Sequence, residues 1–403
     1  MELIDRYEYI SWLERWQDKQ IIKVVSGVRR CGKSTLFDLF KKQLLATGTA
    51  EKQIISINFE AIEFEDLRDY KSLYKYIVER IQNDRMNYIF LDEVQHCAQY
   101  QKAVDSLFIK NNCDIYLTGS NAYFMSGELA TVLSGRYVEL KMLPLSFKEF
   151  NQGLQGKFKE LGRAEQFDLY LTFGAFPFIS KYNSFNEDAL SYLQDVYNTI
   201  ILSDVVKRLK VADATSLDNL VRFMVYSVGN KISINKIANT LKSAGKSIDT
   251  KTIEKYLLGL CDALLLYKAP RYNIKGRQLL TTLGKYYVVD IGLRNLLVRG
   301  KESDIGHVLE NVVYLELKRR GFEVYVGDLE NGEVDFVAIK GSVLEYYQVS
   351  ATTLDAKTLQ RELAPFKRIA DNYPKYLLTL DTVFANADYE GVRKLNVLEW
   401  LLE

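Results

Sequence analysis

The segment Gly27-Val28-Arg29-Arg30-Cys31-Gly32-Lys33-Ser34 has the spacing G-x-x-x-x-G-K-[ST]. Two glycines at that separation let a loop wrap so that its backbone N–H groups face phosphate oxygens. A helix starting directly behind the loop adds partial positive charge. Lys33 has the reach for β and γ phosphates, and Ser34 has the hydroxyl to ligate Mg²⁺. Gly27, Arg30, Gly32, Lys33, Ser34 and Thr35 are therefore the expected cradle for ATP. The motif needs a strand before it and a helix after it. Ile21–Ser26 is a short run rich in β-branched residues and reads as a buried strand, and Thr35–Phe40 reads as a helix start.

A second pair of groups completes the chemistry. Tyr88-Ile89-Phe90-Leu91-Asp92-Glu93 reads as a buried strand with two carboxylates at its C-terminal end. In open α/β sheets the ligand crevice lies at those ends. Asp92 is expected to hold Mg²⁺ through water and Glu93 to act as general base. A third strand, Asp114–Thr118, runs into Gly119-Ser120-Asn121, where Asn121, or Ser120 in its place, could contact the γ-phosphate or the attacking water. Arg136, in Leu133-Ser134-Gly135-Arg136, could serve as an arginine finger; alone it reads more readily as a solvated surface charge.

These segments, together with Leu143-Pro144-Leu145-Ser146-Phe147-Lys148-Glu149-Phe150, occur in an order that resembles the prokaryotic AAA-type ATPases carrying a winged helix and a restriction-endonuclease-like C-terminal domain. The resemblance implies a core of five parallel strands in which the Thr118 strand separates the P-loop strand from the Asp92 strand. It implies that Arg136 senses the γ-phosphate, in its own subunit or in a neighbour's, and it is compatible with a homo-oligomer. The expected fold class is α/β. A P-loop ATPase with a parallel sheet (1–150) leads into a helical lid or linker (151–215) and a winged helix (216–295). An α/β restriction-endonuclease-like domain (296–403) follows.

Composition sets limits around this reading. The 403 residues carry a net charge of +1, with 48% hydrophobic and 26% charged residues, which suits two or three packed domains. Cys31, Cys97, Cys113 and Cys261 have no disulfide or zinc spacing, so a reducing, cytoplasmic setting is expected. No apolar run approaches a membrane span, and no membrane partner is expected. The charge is uneven. Residues 201–300 hold 17 Lys and Arg against 7 Asp and Glu, a net of +10, so the remainder is −9.

That basic stretch contains helix-turn-helix signals. Asp195–Leu209 reads as an amphipathic helix on Val196, Ile200, Val205 and Leu209. Ile232–Leu241 and Asp249–Leu257 read as two helices joined through Gly245, with Asp249 as N-cap, and Leu264–Lys268 and Leu279–Leu280 as wing strands. Such a unit meets DNA through the start of its second helix. Lys246, Lys251, Thr252 and Lys255 are the candidates there, with Arg271, Lys275 and Arg277 on the wing. Winged helices also serve only to pack domains, so a double-stranded DNA partner and a protein partner both stay open. Phe173-Gly174-Ala175-Phe176-Pro177-Phe178 reads as a packed turn.

The last hundred residues order a helix (306–317) before strands at 322–326, 333–338 and 344–350, which resembles the PD-(D/E)XK nuclease fold. Glu310 and Asp335 match metal-ligand positions of that fold. The third element is Gln348-Val349-Ser350, lacking its carboxylate and its lysine, and Lys357 could substitute only from the next helix. A scaffold without cleavage is expected. His96 and His307 have no partner at metal spacing. Taken together, the residues point to an ATP-binding, Mg²⁺-dependent hydrolytic switch acting on a winged helix and a nuclease-like module, associated with DNA. The alternatives are an ATP-gated nuclease and a nucleotide-dependent protein-interaction module.

Overall fold

The computed structural model describes residues 4–121, 132–180, 185–246, 248–298, 305–330 and 332–403. The chain forms two compact units. One comprises the residues up to Pro144 with Asp262–Leu264, and the other comprises Leu145–Cys261 with Leu265–Glu403.

In the first unit, helix α1 (Tyr7–Trp16) precedes β1 (Ile22–Gly27), α2 (Lys33–Ala46) and β2 (Ile54–Asn58). Then come α3 (Tyr70–Val78), β3 (Asn87–Asp92), α4 (Tyr100–Phe108), β4 (Cys113–Gly119) and β5 (Tyr137–Met142). The sheet order is β2-β3-β4-β1-β5, and every pairing is parallel. The strand carrying Thr118 therefore lies between the P-loop strand and the Asp92 strand, as the resemblance implies. Every residue of β1, β3 and β4 is buried, because helices cover both faces. Alternate side chains go to opposite faces. Phe90 and Tyr116 stack at 4.7 Å and meet Phe37 and Phe40 of α2. Ile89, Leu91, Ile115 and Leu117 pack with Leu73 and Ile77 of α3 and Val104 and Leu107 of α4. Lys23 is also fully buried; it is held by Asp114 and donates to the Lys19 carbonyl at 2.9 Å.

The second unit carries a mixed sheet of eight strands: β6 (Leu266–Asn273), β7 (Gln278–Val288), β8 (Glu323–Leu329), β9 (Gly332–Lys340), β10 (Val343–Ser350), β11 (Lys375–Thr379), β12 (Ala387–Tyr389) and β13 (Val392–Asn396). Their order is β12-β13-β11-β10-β9-β8-β6-β7. The hairpin expected as a wing is β6–β7. It does not stand apart, since Arg271–Asn273 pair in parallel with Val326–Asp328 of β8. The sheet thus runs across the boundary expected at 295/296.

The helices of this unit follow the sequence with one informative change. The stretch from Glu187 to Leu209 is helical throughout, but Ile200–Val206 is a π-helix. The apolar spacing shows why. Val196 to Ile200 and Val205 to Leu209 are steps of four, whereas Ile200 to Val205 is a step of five. One inserted residue keeps Val196, Ile200 and Val205 buried. Helices Ile234–Ser243 and Thr250–Asp262 flank Gly245 at φ +74. Asp249 accepts from the Thr252 N–H at 3.0 Å, which is the expected cap. The Phe173–Phe178 segment is a clamped turn. Gly174 sits at φ +79, an added Cβ there would meet Asp290 Oδ1 at 2.2 Å, and the Ala175 N–H donates to Asp290 at 2.6 Å. No helix among the described residues is long and apolar enough to cross a membrane.

Candidate functional site

The P-loop conformation follows from residues that tolerate unusual backbone. Gly32 caps α2 at φ +105, and Arg30 accepts φ +67. At Gly27 an added Cβ would meet the Met142 carbonyl at 2.5 Å, so a side chain there would push the loop off β5. The loop delivers Lys33 as the first residue of α2, fully surrounded by protein. Its ammonium donates to the Gly27 carbonyl at 3.0 Å and lies 3.1 Å from Glu93 Oε1. Ser34 is exposed at the helix start, and its hydroxyl hydrogen-bonds to Asp92.

The parallel order brings Asp92 and Glu93 from β3 beside Thr118 from β4. Thr118 donates its hydroxyl proton to Asp92 Oδ1, and its oxygen accepts from the Glu93 N–H at 2.8 Å. Glu93 itself stands at φ +50, a strained value for a residue with a side chain. Gln95 then folds back and donates to Glu93 Oε2 at 2.5 Å and to Ser120 Oγ at 3.3 Å. Thr118 and Gln95 carry no expected role from sequence. For Thr118 the signal was available, as a hydroxyl at the end of the strand beside the Asp92 strand.

The electrostatics divide the two carboxylates. Burial pushes the Asp92 carboxyl up, aided by the Glu93 charge and opposed by hydrogen bonds from Ser34 and Thr118. Burial also acts on Glu93, but Lys33 and the Gln95 amide hold its carboxyl below the usual range. Burial would lower the Lys33 ammonium, and Glu93 overrides it and raises it. Glu93 is thus kept ionised, while Asp92 is tied to a hydroxyl of the P-loop.

These residues fit Mg²⁺–ATP. Ser34 and Asp92 form the oxygen pair that would hold the ion, and Lys33 with the α2 N-terminus would hold the phosphates. Asn121 is partly buried two residues beyond β4. Arg136 is not brought to this site. It lies just before β5, where its carbonyl accepts from the Ile22 N–H at the start of β1, and it pairs with Asp105. The P-loop is at the other end of β1, roughly 17 Å away at the rise of a strand. This corrects the expectation that Arg136 could sense the γ-phosphate of its own subunit.

The residues expected to face DNA are scattered in role. Lys251 and Arg277 are exposed. Lys246 donates to Asn219 at 2.6 Å and Lys255 to the Leu209 carbonyl at 3.0 Å, both at the surface. The Thr252 hydroxyl is engaged by Asp249. Arg271 is half-buried and paired with Asp328, while Lys275 and Glu330 form an exposed pair at 3.4 Å.

Glu310 and Asp335 do come together, at a cavity of about 580 Å³ that also meets Glu333, Gln348 and Glu362. Lys285 of β7, which had no expected role, reaches into their midst. Its ammonium lies 2.7 Å from Glu310, 3.1 Å from Glu333 and 3.6 Å from Asp335. Burial would lower this ammonium, and the three carboxylates raise it well above its ordinary value. Burial and the Glu310 charge push Asp335 up to about 7. Gln348 donates to Glu362 at 2.9 Å and accepts from the Asp335 N–H at 3.3 Å. Lys357 is exposed and does not line this cavity.

With this geometry in view, similarity to known proteins has a structural meaning. A family profile described as an AAA domain matches residues 19–151, and one described as a domain of unknown function (DUF8612) matches 164–304. An uncharacterized protein of Haemophilus influenzae is 36% identical over 402 residues, covering 100% of this chain and 99% of its own length. An uncharacterized protein of Methanocaldococcus jannaschii is 30% identical over 390 residues, covering 93% of this chain and 84% of its own. A Walker-type ATPase of Pyrococcus abyssi superposes with a TM-score of 0.52 over 73% of this chain and 96% of that one, at 17% identity, which is a likeness of fold. The chain belongs to the same family as these Haemophilus and Methanocaldococcus proteins, and its first third is an AAA-type P-loop ATPase domain.

Proposed function

We propose that the protein is a Mg²⁺-dependent ATPase whose nucleotide cycle acts as a switch on the second unit. The observation that carries this reading is the joined set Lys33, Ser34, Asp92, Thr118 and Glu93. Lys33 and the P-loop amides bind the phosphates, and Glu93 takes the proton of the attacking water. Mg²⁺, when bound by Ser34 and Asp92, neutralises phosphate charge. A phosphate at Lys33 competes with Glu93 for the same ammonium, so binding releases the base. Phosphate release measured with wild type, Lys33→Ala and Glu93→Gln tests the reading. Turnover that survives Glu93→Gln refutes it.

The output of the switch is proposed to be DNA-associated, through the exposed Lys251 and Arg277 with Lys246 and Lys255. Arg136 is proposed to act on the nucleotide of a neighbouring copy, since it is remote from its own P-loop. The nuclease-like module is proposed to be a scaffold without cleavage. Lys285 supports this, because an internal ammonium already neutralises the carboxylates that a divalent ion would need. Nicking of supercoiled plasmid by wild type with Mg²⁺ or Mn²⁺, lost in Asp335→Ala, would instead establish the gated nuclease.

A further inference from the structure

Glu93 makes two contacts, one through each carboxylate oxygen. Oε1 faces Lys33 at 3.1 Å and Oε2 accepts from Gln95 Nε2 at 2.5 Å. The orientation of the Gln95 amide is set by this neighbour, because an ionised carboxylate only accepts. With Nε2 turned to Glu93 and Ser120, the carbonyl Oε1 is left to accept from another donor. That oxygen is buried and has no hydrogen-bond partner among the described residues. A buried acceptor without a donor is costly, and it persists where function requires it. The turn that places it is equally unusual. Glu93 at φ +50 opens a short 3₁₀ turn, Val94–His96, and this carries residue 95 back beside residue 93.

We propose that Gln95 is a further catalytic residue of the ATPase site, presenting its carbonyl Oε1 to the attacking water alongside the Glu93 carboxylate. The proposal rests on the hydrolytic reading above. A water has two protons to donate. Giving one to Glu93 and the other to Gln95 fixes its orientation and leaves a lone pair for the γ-phosphorus. As the water oxygen bonds to that phosphorus, the bond to the β–γ bridging oxygen breaks and its electron pair leaves with ADP. One water proton passes to Glu93, and the other stays on the new phosphate oxygen, still donated to Gln95. Glutamines orient the attacking water in other P-loop enzymes, so the side-chain chemistry is adequate to the task. The Gln95 N–H, bound to both Glu93 and Ser120, also ties the base to the end of β4.

The experiment uses the full chain and reads turnover, binding and folding separately. Gln95→Met keeps the volume and removes both polar atoms. Gln95→Met is expected to lower kcat on the order of a hundredfold, the scale of losing one transition-state contact. KM and the affinity for fluorescent ADP should stay within about twofold, which separates a transition-state contact from uniform binding. Trapping of ADP with tetrafluoroaluminate should weaken, and the thermal midpoint should be unchanged. Native kcat in Gln95→Met, in an enzyme whose turnover is lost in Glu93→Gln, overturns the proposal alone. Parallel loss of ADP binding and thermal stability also overturns it, by showing a structural role. Absence of phosphate release from wild type overturns the proposal and the hydrolytic reading together.

Discussion

Lys33 and Glu93 are partners, 3.1 Å apart and both buried. The cation that should bind phosphate and the base that should activate water hold one another. Glu93→Gln removes the competing charge. It should tighten ATP binding by about tenfold, equivalent to about 1.4 kcal/mol, while abolishing turnover. Lys33→Ala should lose both. Fluorescent-ATP titration beside phosphate release reads the two effects, and equal or weaker affinity in Glu93→Gln contradicts the competition.

The Lys23–Asp114 pair is buried in the sheet, and Tyr116 also donates to Asp114 at 2.7 Å. Asp114→Ala leaves the buried Lys23 ammonium without its carboxylate and should cost about 3–5 kcal/mol. Lys23→Met combined with Asp114→Leu should recover most of that loss, since volume is kept and no charge is left behind. Urea unfolding of the single and double variants measures both.

Lys285→Met leaves Glu310 and Asp335 facing one another without their cation, while Glu333 keeps Lys231 at 2.6 Å. A loss of about 3–5 kcal/mol is expected. Adding Glu310→Gln should restore part of it by removing one like charge. A Lys285→Met variant as stable as wild type would show that the carboxylates do not depend on this ammonium.

Asp290 is buried and its carboxyl is raised to about 6, chiefly by burial and against hydrogen bonds from Ala175, Leu293 and Gly292. The folded chain therefore holds a proton that the unfolded chain has released between pH 4 and 6, values set by the ordinary and folded pKa. Stability from this group should fall as pH rises through that window, by about 3 kcal/mol in all, and be flat above it. The difference between wild-type and Asp290→Asn melting curves across pH isolates the effect. An unchanged pH dependence in the variant removes it.

If Lys251 and Arg277 meet phosphates, alanine at each should reduce the salt slope of duplex DNA binding by about 1. Gel-shift titration over a salt series gives the slope. Binding that is insensitive to salt would detach the basic stretch from DNA.

Much of the nucleotide site was legible because its signals are contiguous. A glycine spacing, a lysine and an apolar strand ending in Asp92-Glu93 are each read within one segment. The step of five from Ile200 to Val205 was also present in the sequence, though an ordinary helical period hides it. The charge count was less reliable. The net of +10 across 201–300 includes Lys285 and Arg294, both buried, and Arg271, which is paired with Asp328. Counting along a chain cannot tell an exposed cation from one neutralised inside.

The sequence by itself determined which residues can cradle phosphate and which strands must be buried, because backbone freedom and apolar runs act locally. Tertiary structure alone decided how distant residues meet. Strand order set Thr118 against Asp92 and Glu93. Parallel register put Arg136 at the far end of β1 from its own P-loop. Pairing of β6 with β8 joined the expected wing to the C-terminal sheet, and the unit that contains β7 set Lys285 among three carboxylates. Each of these depends on which strands become neighbours and in what register, and that is settled by packing over the whole sheet, not by any one segment.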